Sequence, residues 1–206
     1  MGEISIKKLH LELSTARVEA LTDGVFAIAM TLLVLNLDVT VPIKGASPSE
    51  LHDALGSLWP HFLHYVESFL LLSVFWIKNH QQFHFIRRCD QPLMWLSLLS
   101  LLFVCLLPFT TSLVSDYGNV PMAAIIFEVN LFAAGFVYYL QWRHATHGRR
   151  LVDASLDAKI IAAYRRTSLL TPIMSFAAIG LSFFSPRMGT GLYFLIPLIL
   201  VIMRRW

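Results

Sequence analysis

The sequence predicts an all-α integral membrane protein with six transmembrane helices and both termini cytoplasmic. Three observations carry this reading. Of the 206 residues, 56% are hydrophobic and only 14% charged, against roughly 25% charged in a soluble domain. The apolar residues gather in runs long enough to cross a bilayer. The basic residues fall almost entirely on one side of those runs.

A helix crosses about 30 Å of hydrocarbon with about 20 residues. Residues 92–114, between Asp90 and Asp116, carry no charge. Residues 167–186 and 188–203 are uncharged, the latter run being followed by Arg204 and Arg205. Residues 120–142 are uncharged except for Glu128, and residues 55–77 contain only His61, His64 and Glu67. Residues 24–37 are uncharged but short, and reach full length only with residues 16–23. The expected spans are therefore 16–37, 55–79, 92–114, 120–142, 167–186 and 188–204, in a single membrane domain over 1–206. A membrane barrel would show weak alternation in segments of about 10 residues rather than continuous apolar runs.

With this layout Lys7, Lys8, Arg17, Lys78, Arg87, Arg88, Arg143, Arg149, Arg150, Lys159, Arg165, Arg166, Arg204 and Arg205 share one side, and only Lys44 and Arg187 the other. Basic residues concentrate on the cytoplasmic side. Residues 38–54 become an external loop. The longest internal loop is 144–165, of which 151–164 are expected to form an interfacial helix leading into the fifth span.

Other classes are disfavoured. Two cysteines, Cys89 and Cys105, make no disulfide scaffold. A dispersed net charge of +3 does not suggest nucleic-acid binding. There is no Gly-x-Ser-x-Gly, H-E-x-x-H or phosphate loop, so the chain is not expected to be an enzyme, and no cofactor or metal is expected. Early charges, including Glu3, Lys7 and Lys8, argue against a cleavable signal peptide.

The first span is unusual because Arg17, Glu19 and Asp23 lie near its inner end. Charges inside a span are costly and usually paired. Arg17 and Asp23 are six apart, so they do not face each other on a helix. Each needs a partner elsewhere, or water, or an escape to the interface by snorkelling. Further along, Ile28, Leu32 and Leu35 fall in one narrow stripe, with Gly24 on the same side and Thr31 beside them. From periodicity alone such a stripe is ordinary packing.

The segment from Arg17 through Leu21, Thr22 and Asp23 to Leu35 resembles the first-helix signature of the transmembrane protein 175 family. That signature is R-x-x-x-F-S-D, with Leu21 and Thr22 here in place of Phe and Ser. F-W-I-K-N-H-Q-Q-F, residues 75–83, resembles the family's W-x-x-x-H-x-x-F segment, and L-L-P-F-T-T, residues 106–111, its third-helix motif. The family consists of potassium-permeable channels of endosomes and lysosomes, with prokaryotic homologues.

The resemblance implies that the first helix lines a central pore in a homotetramer. It implies a constriction at Ile28, Leu32 and Leu35, a hydroxyl layer linked to potassium preference at Thr31, and a structural network of Arg17, Asp23 and His80, with Asn79 as a fourth member. The expected partners are further copies of the chain, the lipid bilayer and potassium ions, and the expected location is a bacterial plasma membrane. A TVGYG carbonyl filter is missing from the sequence, so a pore must be walled by side chains of whole helices, and one copy of the first helix cannot enclose an axis.

The alternative is a secondary transporter or proton pathway using Glu67, Glu128 and the histidines. His61, His64 and Glu67, spaced by three, admit a metal site, but His61 beside Trp59 and Pro60 also suits an interfacial position. Glu128 and Asn130 equally suit hydrogen bonds between packed helices. Asp38, Glu50 and Asp53 would either attract cations at the mouth or merely solvate the external loop.

Overall fold

The computed structural model describes residues 15–37 and 47–203. Among these, every extended element is helical: α1 (Thr15–Leu32), α2 (Pro48–Ser57), α3 (Trp59–Phe85), α4 (Gln91–Asp116), α5 (Pro121–Thr146), α6 (Ala158–Ser182), α7 (Pro186–Gly191) and α8 (Leu195–Met203). Three segments are long and apolar enough to cross a membrane: Thr15–Asn36, Gln91–Asp116 and Pro121–Arg149. Helices α3 and α6 match them in length, but carry Glu67 and Lys78, and Lys159, Arg165 and Arg166.

Local chemistry sets the helix starts. The Asp90 carboxylate accepts from the Leu93 amide at 3.0 Å and caps α4, with Pro92 in the first turn. Asp157 caps α6 through the Lys159 amide at 2.8 Å. Both satisfy amides that have no carbonyl partner in the helix. Pro121 opens α5, where its fixed φ and missing N–H cost nothing.

The long helices pack as neighbours in sequence, α5 lying against both α4 and α6. The closest approach joins α5 to α6. A Cβ on Gly135 would stand 2.8 Å from Pro172 Cδ and 3.1 Å from Thr171 Cβ. The glycine gap thus receives the proline ring. Helix α1 packs on α4 and α3 through Val18, Thr22, Phe26 and Ala29, and the 3-10 turn Leu33–Asn36 extends it. There the Asn36 amide donates to the Pro108 carbonyl of α4 at 3.1 Å.

Two hydrophobic clusters form the core. One gathers Phe26, Leu33, Leu72, Phe75, Phe127, Leu131, Tyr138 and Tyr193. The other gathers Val18, Phe83, Leu93, Trp142, Leu151, Val152 and Leu156 where α3 ends and α4 begins. The second cluster corrects an expectation. Residues 151–157 are not an interfacial helix. Leu151, Val152 and Leu156 are buried, and the Leu151 carbonyl accepts from the Arg87 amide at 2.8 Å and the Arg88 amide at 3.3 Å. The apolar side chains that suggested membrane contact plug the end of the bundle instead.

Three further boundaries differ from expectation. The segment expected as external loop contains α2, started by a capping box in which the Ser47 amide donates to Glu50 Oε2 at 2.7 Å and the Glu50 amide to Ser47 Oγ at 3.3 Å. Its earlier part, 38–46, lies outside the described residues. Helix α3 starts at Trp59 and runs past 79 to Phe85, which places Lys78 well inside it and buried. The expected final span is broken: α7 ends at Gly191 and a 3-10 turn, Leu192–Phe194, precedes α8.

Candidate functional site

The buried residues of α1 recur at 18, 22, 26 and 29, and Leu33 follows. The opposite side is open. Arg17, Leu21, Gly24, Ile28, Thr31 and Leu35, spaced alternately four and three apart, are all exposed. Leu32 flanks this line and is exposed as well. Ile28 is 61% and Leu35 70% exposed, while Phe26 on the other side is 1% exposed. Alternating spacings of four and three define the seam along which helices pack around a shared axis.

Two details qualify the stripe. Leu35 lies in the 3-10 turn, which rises about 2.0 Å per residue instead of 1.5 Å. Ile28 to Leu35 therefore covers about 12 Å rather than the 10 Å of a continuous α-helix. The Thr31 hydroxyl donates to the Ile28 carbonyl at 2.9 Å. With its hydrogen engaged, the oxygen keeps lone pairs free to accept. No neighbour comes within 4 Å of where a Cβ on Gly24 would lie.

Midway along α1, the Trp76 indole N–H of α3 donates to Asp23 Oδ1 at 2.8 Å. The same indole stacks on His80, centroids 5.8 Å apart and planes 20° apart. Asp23 and His80 are thus joined through Trp76. Asn79 is buried and Arg17 exposed. Among the described residues, neither is hydrogen-bonded to Asp23 or His80. The role of Trp76 went unassigned in the sequence, although its i, i+4 spacing to His80 puts the two rings on one face.

The other polar residues link helices. Lys78 donates to the Thr167 carbonyl at 3.1 Å and Thr171 Oγ1 at 3.2 Å on α6. Gln82 donates to Ser168 Oγ at 3.2 Å, and Asn130 to the Phe103 carbonyl at 3.1 Å. His64 Nδ1 lies 3.1 Å from Glu67 Oε2, and His61 Nε2 3.3 Å from Asp116 Oδ1. Ser182 donates to Glu128 Oε1. Among the described residues no three His, Cys, Asp or Glu side chains are placed to hold a metal.

An apolar helix bundle with three helices long enough to cross a bilayer defines a class: an integral membrane protein, here with one face of its first helix exposed. Residues 17–108 match the family model described as "Endosomal/lysosomal potassium channel TMEM175". A protein of Streptomyces collinus named as a potassium channel is 35% identical over 188 residues, covering 89% of this chain and 90% of that one. The crystal structure of a lysosomal potassium-selective channel TMEM175 homologue from Chamaesiphon minutus superposes with a TM-score of 0.79 at 30% identity, covering 91% of this chain and 96% of that one. The human endosomal/lysosomal proton channel TMEM175 is 36% identical over 118 residues, which span 55% of this chain and 23% of the human protein. The chain belongs to the TMEM175 family. Its relatives are ion channels rather than enzymes, and its place is in a membrane.

Proposed function

We propose that the chain is a potassium-permeable leak channel of a bacterial plasma membrane, formed by four copies whose α1 helices surround one axis. Six spans with both termini cytoplasmic accompany this arrangement. The observation that carries the reading is the open α1 stripe. A helix facing lipid has no use for Thr31 and Gly24 on its exposed line, whereas a narrow polar and aliphatic seam suits a conduit. Names of relatives that specify potassium point to the same ion.

In this reading Ile28, Leu32 and Leu35 form rings that keep the conduit dry until α1 moves. Thr31 presents a ring of hydroxyl oxygens to a partly dehydrated cation. Selection then comes from side chains without a carbonyl filter and without a resident cofactor. Asp23 and His80, linked through Trp76, fasten α1 to α3, and Arg17 and Asn79 are the further members of the proposed network. Potassium flux from liposomes containing the purified chain, together with the mass of the complex, tests the reading. Ile28→Asn is expected to raise leak and alter the reversal potential under potassium and sodium gradients. Unchanged gating and selectivity would remove Ile28 from the conduit.

A further inference from the structure

Away from α1, two carboxylates are buried where α3, α5, α6 and α7 meet. Glu67 is 2% and Glu128 0% exposed. Each carboxylate has one oxygen engaged, Glu67 by His64 and Glu128 by Ser182. The other oxygens, Glu67 Oε1 and Glu128 Oε2, have no partner. Tyr193, from the turn before α8, packs edge-on against Phe127, the residue before Glu128, with ring centroids 5.8 Å apart, and its neighbour Phe194 lines the same cavity as Glu67. The hydroxyls of Tyr193 and Ser175 are buried and unpartnered too. Four buried oxygens thus have unmet hydrogen-bonding capacity, which is costly in a helix bundle.

Helix α7 closes over this cluster. A Cβ on Gly189 would stand 2.5 Å from Glu128 Oε1 and collide with Ser182 Oγ. On the other side the cluster meets water. A cavity of about 520 Å³, open to solvent, is lined by His61, His64, Glu67, Asp116, Arg187 and Thr190. His64 therefore touches both the cavity and Glu67.

The charged and titratable groups around the pair can be named element by element. From α3 come His64, bonded to Glu67, and His61, bonded to Asp116 at the end of α4. From α7 comes Arg187, exposed on the cavity rim. From the turn before α8 comes Tyr193, packed against Phe127 beside Glu128. Lys78 lies 11 residues beyond Glu67 on α3, about 16 Å along the axis, and its ammonium is engaged by Thr167 and Thr171. Among the described residues no lysine or arginine is bonded to either carboxylate. Two buried carboxylates without a bonded cation are costly to keep ionised together, and a bound proton removes one of the charges.

We propose that Glu67 and Glu128 form a proton-binding site within each copy of the chain, filled from the solvent-open cavity through His64. The imidazole takes a proton from cavity water at one ring nitrogen and passes the Nδ1 proton to Glu67 Oε2. Once protonated, Glu67 carries one O–H donor, which neither ionised carboxylate has. The site is separate from the α1 seam and holds whether or not that seam conducts.

The test is infrared spectroscopy of the full chain in lipid nanodiscs across a pH series in H2O and D2O. The native protein is expected to show the C=O stretch of a protonated carboxyl at pH 7, displaced in D2O and lost as pH rises. E67Q/E128Q is expected to lack that band while keeping the native complex mass and thermal midpoint. Each single glutamine variant should shift the midpoint of the remaining carboxyl by about one pH unit or more, a tenfold change in proton affinity. Ser182→Ala, which removes the donor to Glu128, should displace the band, and this arm needs no carboxylate variant to fold. A native protein without a titrating carboxyl band overturns the proposal. So does a band that survives in E67Q/E128Q, or one that Ser182→Ala leaves unmoved. Potassium flux enters none of these readouts, so they fail or succeed independently of the channel reading.

Discussion

The Trp76 indole N–H reaches Asp23 Oδ1 at 2.8 Å and fastens the middle of α1 to α3. The acceptor is a carboxylate on an exposed part of the helix, so the bond is charge-assisted but reached by solvent. Trp76→Phe keeps most of the ring and its stacking on His80 while deleting the donor. We expect it to cost about 1.5 kcal/mol, the lower end for a hydrogen bond to a charged group. Asp23→Asn, which keeps an acceptor oxygen, should cost less than Asp23→Ala. The check is a double-mutant cycle on the thermal unfolding of the detergent-solubilised complex. Additive effects of Trp76→Phe and Asp23→Ala would show that the two residues do not act as a pair.

This pair also shows where the sequence stops being informative. The stripe at Ile28, Leu32 and Leu35 is legible because helical periodicity is local. The contact between Asp23 and Trp76 joins residues 53 positions apart, and no periodicity encodes it. Lys78 illustrates the same limit: its charge alone places it with the loops, but Thr167 and Thr171 of α6 provide acceptors inside the bundle. The reverse holds for 151–157, where apolar residues suggest a membrane surface and tertiary burial claims them. Two signals were present and local. Ser47 and Glu50 have capping-box spacing, and Trp76 and His80 are one helical turn apart.

Gly135 is required by the ring of Pro172. Alanine there would bring Cβ to 2.8 Å from Pro172 Cδ and 3.2 Å from Cγ. Both elements are long helices, so neither side yields easily. Overpacking of this kind costs about 1–3 kcal/mol. Gly135→Ala should lower the thermal midpoint, and Gly135→Ala combined with Pro172→Ala should recover part of the loss. A variant as stable as the native protein would mean that α5 and α6 separate without penalty.

The α2 cap predicts a pH response outside the spans. Hydrogen bonds from the Ser47 amide and hydroxyl hold the Glu50 carboxyl below its ordinary value of 4.5. A depressed folded value means that the cap contributes above 4.5 and is lost as pH falls through the lower, folded value. Amide exchange at the start of α2 should therefore stay slow at neutral pH and quicken only in acid. Ser47→Ala should raise the Glu50 titration midpoint towards 4.5 and quicken exchange at every pH. Exchange indifferent to Ser47→Ala would show that the cap does not hold this helix.

Exposure alone does not separate a residue facing a conduit from one facing lipid. Leu35 on α1 is 70% exposed and Phe176 on α6 is 74% exposed, yet the seam reading gives them opposite surroundings. Around a shared axis Leu35 meets ions and water, while Phe176 meets acyl chains. Water is what a charged thiosulfonate needs in order to reach a cysteine and what a thiol needs in order to ionise. Cys89 and Cys105 are free, so both are first replaced by serine. In that background Leu35→Cys should react with a charged thiosulfonate added to proteoliposomes, and potassium flux should fall at least tenfold as a charge enters the narrow ring. Phe176→Cys should react little and leave flux unchanged. Mass spectrometry reports modification independently of flux, so a silent Leu35→Cys can be distinguished from one that never reacted. Full modification of Leu35→Cys with undiminished flux would move the ion path away from α1.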